Sequence, residues 1–325
     1  MATRWITSVS EVKAFTAEAR PRAKSLALVP TMGALHEGHL SLVRQAKTEC
    51  DVIVVSIFVN PAQFGPTEDF ARYPRSPEKD LALLRPLEVD AVFAPSNAEI
   101  FPPGFYTFLD PGHIATVFEG AVRPGHFRGV ATVVLKLFNI VRPDVAFFGQ
   151  KDFQQVVVIR RLVEDLNLPV RIAVCPIVRE ADGLAKSSRN VYLNVEDRQA
   201  ALLLSRSLMR AEEMVQAGEG DAQKVLEEIR KTFDAEARVQ LDYAAIVNPA
   251  TLEPVVQVIP GSVALLAARL GTVRLIDNLI FGPQGSTPEL RLQLAFPTQK
   301  ANEKSAANPK PEGPGQPRAS AIENA

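Results

Sequence analysis

Short apolar runs alternate with stretches of helical periodicity through the first half of the chain. The runs are Leu26 to Val29, Val52 to Val59, Val89 to Ala94, Val145 to Phe148 and Val170 to Val178. Each has the length of a strand, and most are flanked by Pro, Gly or Asp. Between them apolar positions recur three and four residues apart in His39 to Lys47, Pro77 to Arg85, the segment near Val130 to Val141, and Phe153 to Leu166. Runs that are continuously apolar fit strands buried on both faces. Their alternation with helices therefore predicts a parallel sheet covered on both sides.

After Val178 the texture changes. Asn194 and Asp197 stand where a helix N-cap and its third position belong, ahead of a helical pattern from about Val195 to Ala217 that Gly218 and Gly220 end. A second helix from about Asp221 to Ala235 follows, then strand-like Val239 to Val247, Val263 to Ala268 and Val273 to Ile280. This is a smaller α+β domain, joined to the first through a hinge at Arg179 to Ser188 where Asp182-Gly183 signals a turn. From Gly282 onward Pro, Gly, Ala, Ser, Lys and Glu dominate, a composition that cannot offset its own ordering entropy. The expected division is residues 1–178, 179–283 and a disordered tail over 284–325, in which Leu290 to Phe296 is the one stretch that could dock. Cutting the chain after Pro283 is expected to leave activity and stability nearly unaltered.

The composition narrows the class. With 325 residues, 46% of them hydrophobic and 22% charged, the chain reads as a soluble globular protein of about two domains. A formal charge of −1 provides no field for nucleic acid, so a small substrate is expected. Met1 to Ser10 has no apolar signal core and no run of about 18 apolar residues occurs, which predicts a cytoplasmic protein without membrane attachment. Cys50 and Cys175 lie in or beside apolar runs without metal or redox spacing, and no protein metal ligands are assigned.

Candidate chemistry begins at Pro30-Thr-Met-Gly-Ala-Leu-His-Glu-Gly-His-Leu-Ser-Leu-Val43, between the first strand and the first helix. Free N–H groups at a helix start favour phosphate, and His36 and His39 share one side of the turn. The spacing of Gly33 and Gly38 imitates a P-loop, but His39 and Leu40 replace its Lys and its Ser or Thr. What remains resembles the HIGH-type loop of adenylate-forming enzymes with a Rossmann-like nucleotidylyltransferase fold.

Four further segments carry polar groups that a core does not require. Gln63, in Phe58-Val-Asn-Pro-Ala-Gln-Phe64, suits a small polar substrate or a simple turn. Arg123-Pro-Gly-His-Phe-Arg-Gly-Val130 reads as a mobile anion-binding loop or a solvated one. In Gly149-Gln-Lys-Asp152, Lys151 offers a point charge for phosphate, and Asp152 either a ribose partner or a helix cap. Lys186-Ser-Ser-Arg-Asn190 places two hydroxyls between two cations, a set that can wrap the terminal phosphates of a nucleotide.

Taken in order, Pro-Thr-Met-Gly, Phe-Val-Asn-Pro-x-Gln-Phe, Gly-x-Lys-Asp-x-Gln-Gln and Ser-Ser-Arg-Asn resemble the pantoate–β-alanine ligase family over Met1 to Gly282. The resemblance implies ATP-dependent condensation of (R)-pantoate with β-alanine through a pantoyl adenylate, giving (R)-pantothenate, AMP and diphosphate. It implies Mg²⁺ and a homodimer of a Rossmann-like domain with a smaller C-terminal lid. Carried over by position, Met32, Gly33, Ala34, Leu35, His36, Glu37, Gly38 and His39 form the first ATP loop. His36 binds phosphate and His39 serves as proton donor. Gln63 and Gln155 hold pantoate, with Gln63 also facing β-alanine. Gly149, Gln150, Lys151 and Asp152 bind ribose and phosphate, Val178 the adenine through its backbone, and Lys186, Ser187, Ser188 and Arg189 the triphosphate. His36, His39, Lys151 and Arg189 are expected to offset the charge of the transition state. The family often has Met in place of Lys186 and Glu in place of Gln150. Two other readings stay open, a nucleotidylyltransferase of the same fold and a non-catalytic nucleotide sensor.

Overall fold

Successive residues of a strand point to opposite faces, and the central strands here are apolar on both. In the computed structural model, which describes residues 3–22, 25–66 and 68–297, six parallel strands form one sheet in the order β1-β4-β3-β2-β5-β6. They are β1 Arg4–Ile6, β2 Leu26–Thr31, β3 Val52–Ile57, β4 Ala91–Phe93, β5 Val145–Gly149 and β6 Arg171–Cys175. On one face Ala27, Val29, Val55 and Phe147 pack against Leu40, Val43 and Ala46 of α2 (Glu37–Glu49) and Leu84 of α3 (Pro77–Leu84). On the other, Leu26, Leu28, Val54, Phe93 and Phe148 meet α1 (Val9–Ala19), α6 (His126–Val141) and α7 (Phe153–Asp165). Short α4 (Asn97–Ile100) and α5 (Glu119–Val122) lie in the connection from β4 to α6.

All five expected strands are present, the second, third and fifth ending earlier than their apolar runs. The β1–α1 pair adds to them without an apolar run to announce it, since β1 is three residues long and buries Ile6 alone. A signal for α1 does exist in Ser8 and Glu11, which form a reciprocal capping box.

The strand order reverses at β2, with β3 and β4 on one side and β5 and β6 on the other. That is the switch point at which α/β sheets open a ligand crevice beyond the strand carboxyl ends. Pro30, the residue after the apolar run Leu26 to Val29, lies within β2. It pairs in register with Ser56 of β3, whereas the ladder to β5 ceases at Leu28–Ala146. Proline supplies no ladder N–H, and β2 and β5 diverge from that point toward the two loops that matter most, residues 32–36 and 149–152.

The C-terminal domain comprises α8 (Val195–Gln216), α9 (Ala222–Asp234) and the antiparallel strands β7 (Val239–Val247), β8 (Val263–Leu270) and β9 (Val273–Ile280). Both faces of this small sheet are covered, which explains the apolar run of β8. Ala264, Leu266 and Ala268 pack toward α8 and α9, while Val263 and Leu265 join the core of the first domain.

The expectation of a solvated tail fails over its first part. Residues Pro288–Ala295 form α10, capped by Thr287. Leu292, Ala295 and Phe296 are buried, and the Phe296 ring stacks on Phe153 with centroids 4.9 Å apart. Arg160 Nη2 donates to the Pro297 carbonyl at 3.0 Å, and Arg291 pairs with Glu212. The stretch that docks is the apolar one, Leu290 to Phe296, which the composition of the whole segment outweighed. Residues 298–325 of the expected tail lie outside the described residues. Phe296→Ala should lower unfolding free energy by about 3 kcal/mol, read from denaturant titration. Truncation after Pro283 should accordingly lower the melting temperature; an unchanged midpoint in both would show that α10 contributes nothing.

Candidate active site

The loop from β2 into α2 is held by a residue that sequence reading missed. Asp80 of α3 is 2% exposed and accepts from the backbone N–H groups of Ala34 at 3.0 Å and Leu35 at 2.8 Å. Gly33 and Ala34 both have positive φ, +80° and +51°. A Cβ on Gly33 would sit 2.9 Å from Asp80 Oδ2, so the turn requires glycine on conformational and steric grounds. Thr31 adds a bond, its hydroxyl accepting from Gly33 N–H at 3.2 Å.

His36 and His39 cap α2 reciprocally. His36 Nδ1 accepts from Gly38 N–H at 3.2 Å, and His39 Nδ1 accepts from His36 N–H at 3.3 Å. An imidazole that accepts at Nδ1 carries its proton on Nε2. Burial first, then the charges of Lys151 and Lys186, lower the His36 pKa to about 4. Burial and the neighbouring His36 lower that of His39 to about 3. Both rings, with centroids 4.1 Å apart, are therefore neutral Nε2–H donors at pH 7. The neutral His39 ring thus presents its Nε2–H as a hydrogen-bond donor. Two other loop members turn away from the crevice. Glu37 is exposed and pairs with Arg44, and Leu35 is buried in the core.

Beyond β3, Asn60 orients Gln63. Asn60 Nδ2 donates to Gln63 Oε1 at 3.0 Å and to the Gly129 carbonyl at 3.1 Å, and Gln63 Nε2 lies 3.1 Å from Met32 Sδ. Helix α6 comes this close only because residue 129 is glycine, where a Cβ would stand 2.1 Å from the Ala62 oxygen. The 123–130 segment is no mobile anion loop. Arg123 is 14% exposed and forks onto Glu68 at 3.0 and 2.5 Å. The His126 ring lies 2.8 Å from the Gln63 carbonyl through Nδ1 and 3.1 Å from Arg123 through Nε2. Arginine can only donate, so His126 carries its proton on Nδ1, and burial, then Arg123, lowers its pKa to about 4.

At the end of β5, Asp152 makes no side-chain cap and stays half-exposed, with Lys151 Nζ 3.6 Å away. Burial works to raise its pKa, but the Lys151 ammonium and the Arg189 guanidinium outweigh it and hold the carboxyl below its ordinary value. Gln150 spends its side chain on the other domain. Its side chain is 8% exposed and donates to Asn278 of β9 at 3.0 Å.

The hinge segment folds over the first loop. Val178 gives its carbonyl to Lys186 N–H at 2.9 Å, which leaves one lone pair of that oxygen open. Lys186 Nζ is 3.7 Å from Glu180. Ser187 Oγ accepts from Arg189 N–H at 3.3 Å, and Ser188 Oγ donates to the Ala34 carbonyl at 3.1 Å. Arg189 is not freely available to phosphate, since Nε and Nη2 fork onto Asp69 at 3.1 and 3.0 Å.

Two cavities result. One, of about 200 Å³, has Met32 and Gln63 at one end and an aliphatic wall of Val130, Val133, Val134 and Leu137. The other, of about 100 Å³, is bordered by Gly38, Gly149, Ile177 and Val178. His36, His39, Lys151, Asp152, Gln155 and Lys186 line both. A wider cleft of about 470 Å³ between the domains leads to the same Lys151, Asp152 and Gln155. Two chambers thus meet at one set of polar side chains.

Residues 4–280 match the family described as Pantoate-beta-alanine ligase. A pantothenate synthetase of Heliobacterium modesticaldum is 53% identical over 277 residues, covering 85% of this chain and 99% of that protein. One from Roseiflexus castenholzii is 57% identical over 256 residues, covering 79% and 92%. Among solved structures, the pantothenate synthetase of Thermus thermophilus superposes with a TM-score of 0.82 at 46% identity, covering 86% of this chain and all of that one. A pantoate-beta-alanine ligase from Francisella tularensis, complexed with beta-gamma ATP and beta-alanine, gives 0.72 at 35% identity over 86% and 98%. The fold, the paired cavities and these likenesses over nearly the whole described chain agree, and the chain belongs to the pantoate–β-alanine ligase family.

Proposed function

We propose that this ligase joins (R)-pantoate to β-alanine in two steps, with pantoate in the larger chamber and ATP in the smaller. The observation that carries the reading is the shared wall, where His36, His39, Lys151 and Gln155 border both cavities. An acid in one and an α-phosphate in the other would meet there, held near attack geometry. The pantoate carboxylate attacks the α-phosphorus and pyrophosphate leaves. The β-alanine amine then attacks the acyl carbon and AMP leaves with the bond electrons.

The aliphatic wall suits the branched carbon of pantoate, and the Gln63 and Gln155 amides suit its hydroxyl and carboxylate groups. Neutral Nε2–H donors from His36 and His39, with Lys151, oppose charge growing on phosphoryl oxygen. Arg189 would exchange Asp69 for the triphosphate. Among the described residues no three His, Cys, Asp or Glu could together hold a metal. Asp152, beside Lys151 in the shared wall of both chambers, is the carboxylate that would hold a Mg²⁺ together with ATP oxygens; the ion would offset phosphate charge. The reading includes a homodimer in the cytoplasm. Tyr106 at 89% exposure and Phe108 at 36% offer an aromatic face for the second copy, and no helix of the described residues is long and apolar enough to cross a membrane.

The test is AMP release with each substrate omitted in turn. AMP should appear only when ATP, pantoate and β-alanine are all present, whereas a nucleotidylyltransferase would stop at a stable adenylylated product and a sensor would release no pyrophosphate. Gln63→Ala should weaken pantoate binding by about 1–3 kcal/mol and leave ATP affinity nearly unchanged. Equal losses for both ligands in calorimetric titration would contradict the placement of the acyl chamber.

A further inference from the structure

Lys151 and Asp152 owe their aim to a turn that carries no side-chain cap of its own. Gly149 precedes a single 3₁₀ turn, Gln150–Asp152, and neither Gly149 nor Asp152 provides a capping side chain. The restraint comes from the other domain. Asn278 of β9 is 2% exposed, and its Nδ2 donates to the carbonyls of Gln150 and Lys151, each at 3.0 Å. Its Oδ1 accepts from Gln150 Nε2 at 3.0 Å, which closes a ring of bonds around the turn. The neighbouring Asp277 accepts from Asn278 N–H at 2.8 Å. Asp277 in turn receives a fork from Arg179 in the hinge, at 2.7 and 3.0 Å. A buried amide with its donors and acceptor engaged is a rigid gauge, because each bond lost leaves a polar group unsatisfied.

We propose that Asn278 is a positioning residue for adenylate formation, holding the Gln150–Lys151 carbonyls so that Lys151 faces the nucleotide. Asn278 lines the wide cleft between the domains but neither of the two smaller cavities, and it acts through the turn. This rests on the reading of Lys151 as a phosphate-facing cation. It makes the hinge and β9 part of the catalytic geometry, since Arg179, Asp277, Asn278 and the turn form one connected chain of polar contacts.

The experiment is single-turnover pyrophosphate release from ATP and pantoate, using the full chain in four forms: unaltered, Asn278→Ala, Lys151→Met and the double variant. Asn278→Ala alone should slow release about 10- to 100-fold, the cost of misplacing a charged group by an ångström or less. In the Lys151→Met background the same change should cost no more than about threefold, because residues that act as a unit are not additive. An equal factor in both backgrounds, or no slowing in either, overturns the proposal. If Asn278→Ala does not fold, Gln150→Leu removes one bond of the ring and must show the same background dependence on a smaller scale. A Lys151→Met variant that releases pyrophosphate at the normal rate would instead overturn the reading of the site, and the proposal with it.

Discussion

Replacing His39 by alanine is expected to slow adenylate formation by about 10²- to 10³-fold, the usual cost of removing one preorganised donor from a developing charge. His36→Ala should do the same, with an added cost to α2, whose cap it is. In each case the lost group is a neutral Nε2–H held in its tautomer by a backbone N–H at Nδ1. Pyrophosphate release in a single turnover measures the effect, and unchanged release in both variants would refute the assignment of this loop.

The neutral state has a second consequence. Because the folded pKa values of His36 and His39 lie at about 4 and about 3, below the ordinary 6.5, the unfolded chain binds more protons than the native one as pH falls below about 6.5. Their contribution to stability is thus complete above the unfolded pKa and is lost on acidification toward the folded values. His39→Ala should be less sensitive than the unaltered protein to a shift from pH 7 to 5, measured by urea unfolding at both. A larger loss for the variant would place a proton on His39 in the native state.

Much of the architecture was legible in the chain because burial on both faces leaves continuous apolar runs. Val52–Ile57 and Val145–Gly149 needed little else to be recognised as strands. His36, His39, Lys151 and Gln155, which line both chambers, were legible as candidates as well, since their segments follow β2 and β5. What escaped is held by partners distant in sequence. Nothing near Asp80 signals that it anchors Ala34 and Leu35, and nothing near Asn278 signals Gln150. Membership of a motif also does not tell which way a side chain points. Glu37 and Gln150 lie within functional strings yet spend their side chains on Arg44 and Asn278. The periodicity that separates an inward from an outward position is lost in loops, where side-chain direction follows from the turn and its anchors.

Lys151→Met should impair the first half-reaction far more than the second. The Lys151 ammonium is 21% exposed, borders both cavities, and has Asp152 as its salt-bridge partner at 3.6 Å. That pairing is loose enough for Lys151 to turn toward an incoming phosphate. As pantoate attacks and pyrophosphate departs, negative charge builds on the bridging and terminal oxygens, where a fixed cation in a water-poor cleft acts most strongly. When β-alanine attacks the finished adenylate, the departing AMP carries less charge and has His36 and His39 at the same wall. A loss of at least about 10²-fold is expected with ATP and pantoate, by comparison with other charge-stabilising donors. Methionine keeps most of the packing of the aliphatic stem and removes only the charge, so the fold should survive. Supplying chemically prepared pantoyl adenylate with β-alanine should therefore restore most of the turnover. Were the variant as slow with the intermediate as with ATP and pantoate, Lys151 would serve both steps or neither, and the division between the two chambers would have to be redrawn.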